Sequence, residues 1–265
     1  MSTLLLVHAQ PDDESISTGG VMAKAHEEGH RVVLVTATRG EVGEIYVLDE
    51  AETRPRLGDV REGELRAAAG ILGVDRLEIL GYRDSGMKGT PENEDPRSFH
   101  RAQLLQAATR VAAILREERP EVVVTYGPEG GYGHPDHVKA HEVTIAALDL
   151  LDAEGWRPVK AYFNVIPQSA VERWVEEAKA RGQEGPTDII GTRDEAVTTA
   201  VDVRKWAPIK REAFGAHVTQ SGLLPMELTK QQELFEMAFG TEWFVLARGS
   251  LGEARPEKDL FAGLD

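Results

Sequence analysis

The sequence predicts an α/β fold: a Rossmann-like, mostly parallel sheet with helices on both faces, plus a smaller C-terminal α/β lobe. Three observations predict it. Apolar runs of strand length alternate with amphipathic stretches of helix length. The strand runs are almost continuously apolar, the mark of strands covered on both faces. Helix-length segments separate successive strands, as parallel crossovers require.

Thr3–Val7 reads as the first strand. Ser15–Glu28 reads as a helix, with Glu14 and Ser15 near its start, where acids and hydroxyls suit the free amides. Arg31–Thr36 (RVVLVT) is the second strand. Asp59–Leu72 carries helical apolar spacing, and Leu77–Leu80 is a short strand. Ala102–Glu118 is a helix, Glu121–Tyr126 (EVVVTY) a strand, Val138–Asp152 a helix and Val159–Val165 a strand. The C-terminal part offers a strand at Val197–Val203, helices at Lys205–Phe214 and Pro225–Phe239, and a strand at Trp243–Leu246. The expected division is a catalytic core at 1–182 and a lobe at 183–265 that completes the substrate pocket. Two long loops, Thr38–Gly58 and Gly81–Ser98, interrupt this rhythm, and loops of that length are often functional. Right-handed crossovers bring the loops after the strands to one edge, where such folds bind ligands.

Composition narrows the function. There are 45 acids against 30 Lys and Arg, a formal charge of −15. So acidic a surface repels phosphate backbones and argues against nucleic acid as a partner. The chain has no cysteine, which removes disulfides, thiolate metal sites and a cysteine nucleophile. MSTLLLV has no basic leader region, and no run approaches a membrane span. The expectation is a cytoplasmic enzyme with a small-molecule substrate and no membrane partner. A homo-oligomer is compatible with the sequence. The many Glu, Arg and Pro residues are a weak pointer to a thermophile.

The segment VHAQPDDE, Val7–Glu14, ends the first strand in three acids. A nucleotide-binding fold places glycines and phosphate there, and carboxylates would repel that ligand. Three adjacent acids suit a cation instead. A single acid could simply cap the next helix, but three behind a buried strand ask for more. The second cluster is GGYGHPDHVKAH, Gly130–His141, after the strand Glu121–Tyr126. It supplies His134, Asp136, His137 and His141. His137 and His141 share one helical face at i and i+4, although His141 lies deeper in the helix and reads as incidental. An acidic and a His-rich cluster at one sheet edge point to a mononuclear metal site with acid–base residues beside it.

Together these two motifs resemble the zinc-dependent deacetylases of the PIG-L/LmbE family. The resemblance is greatest to the mycothiol-pathway branch, which holds the N-acetylglucosaminyl-inositol deacetylase and the mycothiol S-conjugate amidase. RGEVGEI, REGELRAAAGILGV, RDSGM, RPEVVVTYGPEGGYGHPDH, AHVTQ and the closing FAGLD extend it over almost the whole chain, and they look more like the deacetylase. The resemblance implies Asp13 and His137 as ligands of one Zn2+ per chain or of another divalent ion, and Asp12 as general base. It implies His134 as general acid or oxyanion donor, Asp136 as its orienting partner, and Tyr132 closing on the tetrahedral intermediate. Arg61 and Asp84 would grip sugar hydroxyls, Glu44 would line the pocket and Met87 would meet the acyl group.

The sequence departs from the family at Gln10, where the family motif His-Pro-Asp-Asp has its first zinc-binding His. An amide oxygen is a poor zinc ligand beside imidazole and favours harder cations. Three readings are open here: an engineered change that weakens the site, a natural variant that still binds metal, or a member that has lost catalysis. His8 points to the same side of the strand as Gln10, but lies too far back to replace a ligand. The implied activity is hydrolysis of the acetamide of an N-acetylglucosaminide of the inositol type. Its alternatives are an N-acetylglucosaminyl-malate deacetylase, an amidase on thiol S-conjugates, and a degenerate sugar-binding protein.

Overall fold

The structure is a computed structural model that describes residues 1–180, 182 and 189–264. In chain order its main elements are β1 (Thr3–His8), α1 (Asp13–Ser17), α2 (Gly19–Glu27), β2 (Arg31–Thr38), α3 (Glu50–Thr53), α4 (Leu57–Ile71), β3 (Arg76–Tyr82), α5 (Leu104–Glu118), β4 (Val122–Tyr126), α6 (Gly130–Gly133), α7 (Pro135–Ala153), β5 (Lys160–Val165), α8 (Gln168–Ala180), β6 (Thr199–Asp202), α9 (Ala207–Ala216), α10 (Met226–Lys230), α11 (Gln232–Phe239) and β7 (Thr241–Arg248).

The seven strands form one mixed sheet in the order β3-β2-β1-β4-β5-β7-β6. β1 to β5 run parallel to one another, and β7 runs antiparallel to both β5 and β6. The C-terminal part therefore joins the core through a shared sheet. Its expected start at residue 183 falls among residues 183–188, which lie outside the described residues.

Strand side chains alternate between two cores. Leu5, Val7, Val33, Val35 and Val123 pack against α5 and α7. Leu4, Leu6, Val32, Leu34, Val122 and Val124 pack against α2, α4 and α9, together with Val201 and Phe244 from the C-terminal strands. Both faces of the inner strands β1, β2 and β4 are covered, which is why their sequences lack polar alternation, whereas the edge strand β3 is only partly buried.

The expected helix at Ser15–Glu28 is two helices with a break at Thr18 (φ −139, ψ 9). Gly19 and Gly20 follow the break, and a Cβ at Gly20 would lie 2.5 Å from Val203, so close packing against the C-terminal part sets this corner. The helix expected from Val138 begins at Pro135, because His134 caps it and Pro135 needs no amide partner at a first-turn position. The helix expected at Pro225–Phe239 is likewise split, at Gln231, whose backbone is extended (φ −108, ψ 112).

The chain leaves β1 outward through β2 and β3, then returns to place β4 on the other side of β1. The loops after β1 and β4 thus diverge at the switch in strand order. The crevice between them is where a parallel sheet of this kind receives a ligand.

Candidate active site

The acidic loop and the His-rich loop meet in that crevice. Asp13 opens α1 and is buried. Its Oδ2 accepts from the Gln10 amide at 2.8 Å and from the Tyr126 hydroxyl at 2.6 Å. Its Oδ1 faces His137 Nε2 at 3.2 Å. His137 Nδ1 lies 3.1 Å from the Gly130 carbonyl. A carbonyl only accepts, so Nδ1 carries a proton and Nε2 is the atom turned to Asp13. That Nε2 is buried and has no hydrogen-bond partner. Burial would lower the His137 ring, but the Asp13 carboxylate raises it, so without a metal the two make a buried charged pair. Once Nε2 gives up its proton, the ring nitrogen and the carboxylate oxygen, 3.2 Å apart, fit a cation between them. Two zinc donors at about 2.0–2.1 Å and a tetrahedral angle stand about 3.3 Å apart. Burial alone would raise the Asp13 carboxyl, but the His137 ring outweighs it and holds Asp13 well below the usual carboxylate range.

Gln10 stands at the same place. Its Nε2 donates to Asp84 Oδ1 at 2.7 Å and lies 3.5 Å from His134 Nε2. The Gln10 side chain thus lies between Asp84 and His134, while its backbone N–H reaches Asp13. Among the described residues no group of three His, Cys, Asp or Glu has metal-site geometry.

Asp12 is buried, with the backbone at φ 98, ψ −31, a conformation that costs a non-glycine residue about 1–3 kcal/mol. Arg61 braces it. The guanidinium donates to the carbonyls of Pro11 (2.5 Å) and Gly40 (3.0 Å), and to Asp12 Oδ2 (3.2 Å). A Cβ at Gly40 would strike that guanidinium, so glycine makes the room. The two terminal nitrogens of Arg61 are thus engaged by protein and support the loop of Asp12. Burial pushes the Asp12 carboxyl up to about 7, against the pull of Arg61.

His134 caps α7: its Nδ1 accepts the Asp136 backbone N–H at 3.1 Å. The remaining proton is then on Nε2, on the side of Gln10. Burial, and next the neighbouring His137, pull the His134 ring down to about 4, so it is neutral at pH 7. The Asp136 carboxylate turns elsewhere, to the Ser85 amide at 2.9 Å and the Ser85 hydroxyl. It ties the loop after β3 to the start of α7, while its backbone, rather than its carboxylate, meets the His134 ring. Burial, with the Asp84 carboxylate nearby, raises the Asp136 carboxyl to about 7.

The Asp84 carboxylate is buried and accepts from Gln10 and from the Gly86 amide (2.9 Å). Tyr132 is 39% exposed, with its ring edge toward His137 at a centroid distance of 4.9 Å. Gly130, Gly131 and Gly133 all have positive φ (66, 73 and 83), which shapes the turn that presents it. Met87 is exposed, and Glu44 is exposed on the loop after β2. His141 Nδ1 donates to the Tyr126 carbonyl at 2.9 Å, and the ring packs on Phe163. His8 is engaged by Thr18 and Tyr126.

Three residues at the site lie inside the quoted motifs but have no role that those motifs imply. Tyr126, the last residue of β4, donates to Asp13, accepts from the Ala9 amide (2.8 Å) and stacks on His137 at 4.3 Å and 20°. A strand-final tyrosine reads as core in a sequence. Glu14 and His217 join at 2.6 Å from 203 positions apart. Nearby, Thr219 donates to Glu64 through both its amide and hydroxyl, and Gln220 donates to the Glu44 carbonyl, so the segment 217–220 locks onto α4 and the loop after β2.

The family described as PIG-L: GlcNAc-PI de-N-acetylase matches residues 5–148. Curated relatives named 1D-myo-inositol 2-acetamido-2-deoxy-alpha-D-glucopyranoside deacetylase include those of Geodermatophilus obscurus, 43% identical over 98% of this chain and 97% of that protein, and Acidothermus cellulolyticus, 43% identical over 99% and 95%. Among solved structures, N,N'-diacetylchitobiose deacetylase from Pyrococcus horikoshii superposes with a TM-score of 0.60 at 20% identity, covering 92% of this chain and 83% of that one. The zinc inhibited form of teicoplanin deacetylase Orf2 gives 0.56 at 19%, covering 94% and 100%. At those identities the structures show the shared fold.

Proposed function

The chain belongs to the PIG-L family of GlcNAc-PI de-N-acetylases, and from that premise we propose that it hydrolyses the acetamide of 1D-myo-inositol 2-acetamido-2-deoxy-alpha-D-glucopyranoside or a close N-acetylglucosaminide. The products are acetate and the free 2-amino sugar. The observation that carries the reading is the buried pair of Asp13 Oδ1 and His137 Nε2, 3.2 Å apart, with Asp12 and the His134 Nε2–H beside it.

Asp13 and His137 would hold one divalent ion, zinc by family likeness, with Gln10 as a weak third donor. Such an ion polarises a carbonyl and acidifies water. The remaining work falls to the chain. Asp12 removes a proton from the attacking water. Neutral His134 cannot readily give up its only N–H proton to an amine, so its Nε2–H serves as a hydrogen-bond donor to the developing oxyanion. Asp12 then returns the proton to the amine as the C–N bond breaks. Arg61 keeps Asp12 in place, and Tyr132, Met87 and Glu44 stand where a bound sugar and its acyl group would reach. The C-terminal part, taken as 183–265, completes the pocket through 217–220.

The test combines metal analysis with acetate release. Asp13→Ala and His137→Ala are expected to lose the bound metal, whereas Asp12→Asn keeps it and loses turnover by about 10²–10⁴-fold. Parental metal content in both ligand variants would remove this site assignment.

A further inference from the structure

Glu14 is the third acid of the loop, and neither ligation nor proton transfer uses it. It is fully buried, as is His217. Glu14 Oε2 turns back to accept the N–H of Asp12 at 3.0 Å. Its Oε1 accepts from the Ser15 hydroxyl and from His217 Nε2, each at 2.6 Å. Both carboxylate oxygens are therefore turned to protein donors, which leaves Glu14 outside the ion-binding pair. Asp12, the residue it holds, has the strained φ of 98. The Asp12 carbonyl is fixed by the amides of Ser15 and Ile16, both at 3.0 Å, and its carboxylate by Arg61. The Glu14 contact is the clamp on its N–H. His217 ends α9 and is followed by Thr219, anchored on Glu64, so the far end of the clamp rests on a rigid support.

We infer that Glu14 and His217 are a positioning pair that holds the backbone of Asp12 in its strained conformation and so aims the carboxylate at the reacting water. The inference rests on Asp12 being the general base. Through this pair the C-terminal part, 203 residues away in sequence, acts on the proton-transfer step. Asp13 and His137 are held separately, by Tyr126 and the Gly130 carbonyl, so the pair acts on turnover and leaves metal binding alone.

The experiment measures kcat, KM, zinc content and folding for His217→Ala, His217→Asn, Glu14→Gln, Glu14→Ala and the double variant Glu14→Ala/His217→Ala, with Asp12→Asn alongside. Loss of the clamp is a misplacement of the base, and His217→Ala is expected to lower kcat by about 10²-fold, with KM and zinc content as in the parent. His217→Asn retains an N–H donor and recovers most of the loss. The double variant loses no more than the larger single, because both act through one contact. Should the alanine variants fail to fold, Glu14→Gln decides. It keeps the shape but leaves one acceptor oxygen for the Asp12, Ser15 and His217 donors, so kcat falls with zinc retained. Parental kcat in folded His217→Ala or Glu14→Gln, additive losses in the double variant, or a loss confined to KM or zinc overturns the inference. Parental kcat in Asp12→Asn instead overturns the general-base reading, and the positioning role with it.

Discussion

Replacing Gln10 by His should weaken the metal-free protein and strengthen the zinc-bound one. Gln10 is buried and donates to Asp84 Oδ1 at 2.7 Å. A hydrogen bond to a carboxylate contributes about 1.5–3 kcal/mol. Asp84 keeps its bond from the Gly86 amide, so the cost lies near the lower end, about 1.5 kcal/mol. For a chain of this size that is a fall in Tm of about 3–6 °C. The gain appears only with zinc. Changes beyond the ligand shell already alter affinity by about 10–100-fold, so a new imidazole ligand should do at least as much. At fixed zinc in excess this adds about 1.4–2.7 kcal/mol, or about 3–11 °C to the zinc-induced rise in Tm. The assay is thermal unfolding of both proteins, with chelator and with zinc, followed by acetate release. The curves should cross: the variant melts lower without zinc and gains more with it. An equal zinc-induced rise in the two proteins would show that position 10 does not face the ion. Tighter zinc without faster acetate release would mean that Asp12 and His134 do not complete a working site.

Tyr126→Phe keeps the ring on His137 but removes the bond to Asp13, and zinc affinity should fall by about 10–100-fold in a chelator competition; an unchanged affinity would leave Tyr126 as core alone. The acid limb of kcat/KM should report Asp12, which must be ionised to act, so activity is lost as pH falls through its pKa near 7. Burial holds that carboxyl up and Arg61 pulls it down, so Arg61→Met should move the limb to higher pH, and a limb that stays in place would assign it to another group. Lys210→Met leaves Glu242, paired at 2.7 Å and 2% exposed, without its cation and should cost about 3–5 kcal/mol in urea unfolding. An unchanged midpoint would show that Glu242, which also accepts from the Gly20 and Val21 amides, does not need the ion pair.

By itself the sequence determined the order of strands and helices in the core, because strands covered on both faces must be apolar throughout and so announce themselves without knowledge of their neighbours. It also determined which two loops meet in the crevice, since acids at the end of β1 and histidines at the end of β4 are local patterns, and parallel strands bring those ends to one edge. Gln10 was legible as the anomaly for the same reason. What only the tertiary structure decided is how side chains are spent. Arg61 has the charge to hold a sugar, yet its fork goes to Pro11, Gly40 and Asp12. Asp136 stands two residues from His134, yet its carboxylate reaches Ser85 and only its amide meets the ring. Tyr126 and His217 stand inside quoted motifs, yet their roles stayed hidden, because what they do depends on partners 113 and 203 positions away. The joining of β7 to β5 was hidden for a related reason: β7 is only partly buried and antiparallel, and the pairing partner of such a strand is set by the packing of α9 and α11 beneath it rather than by its own residues.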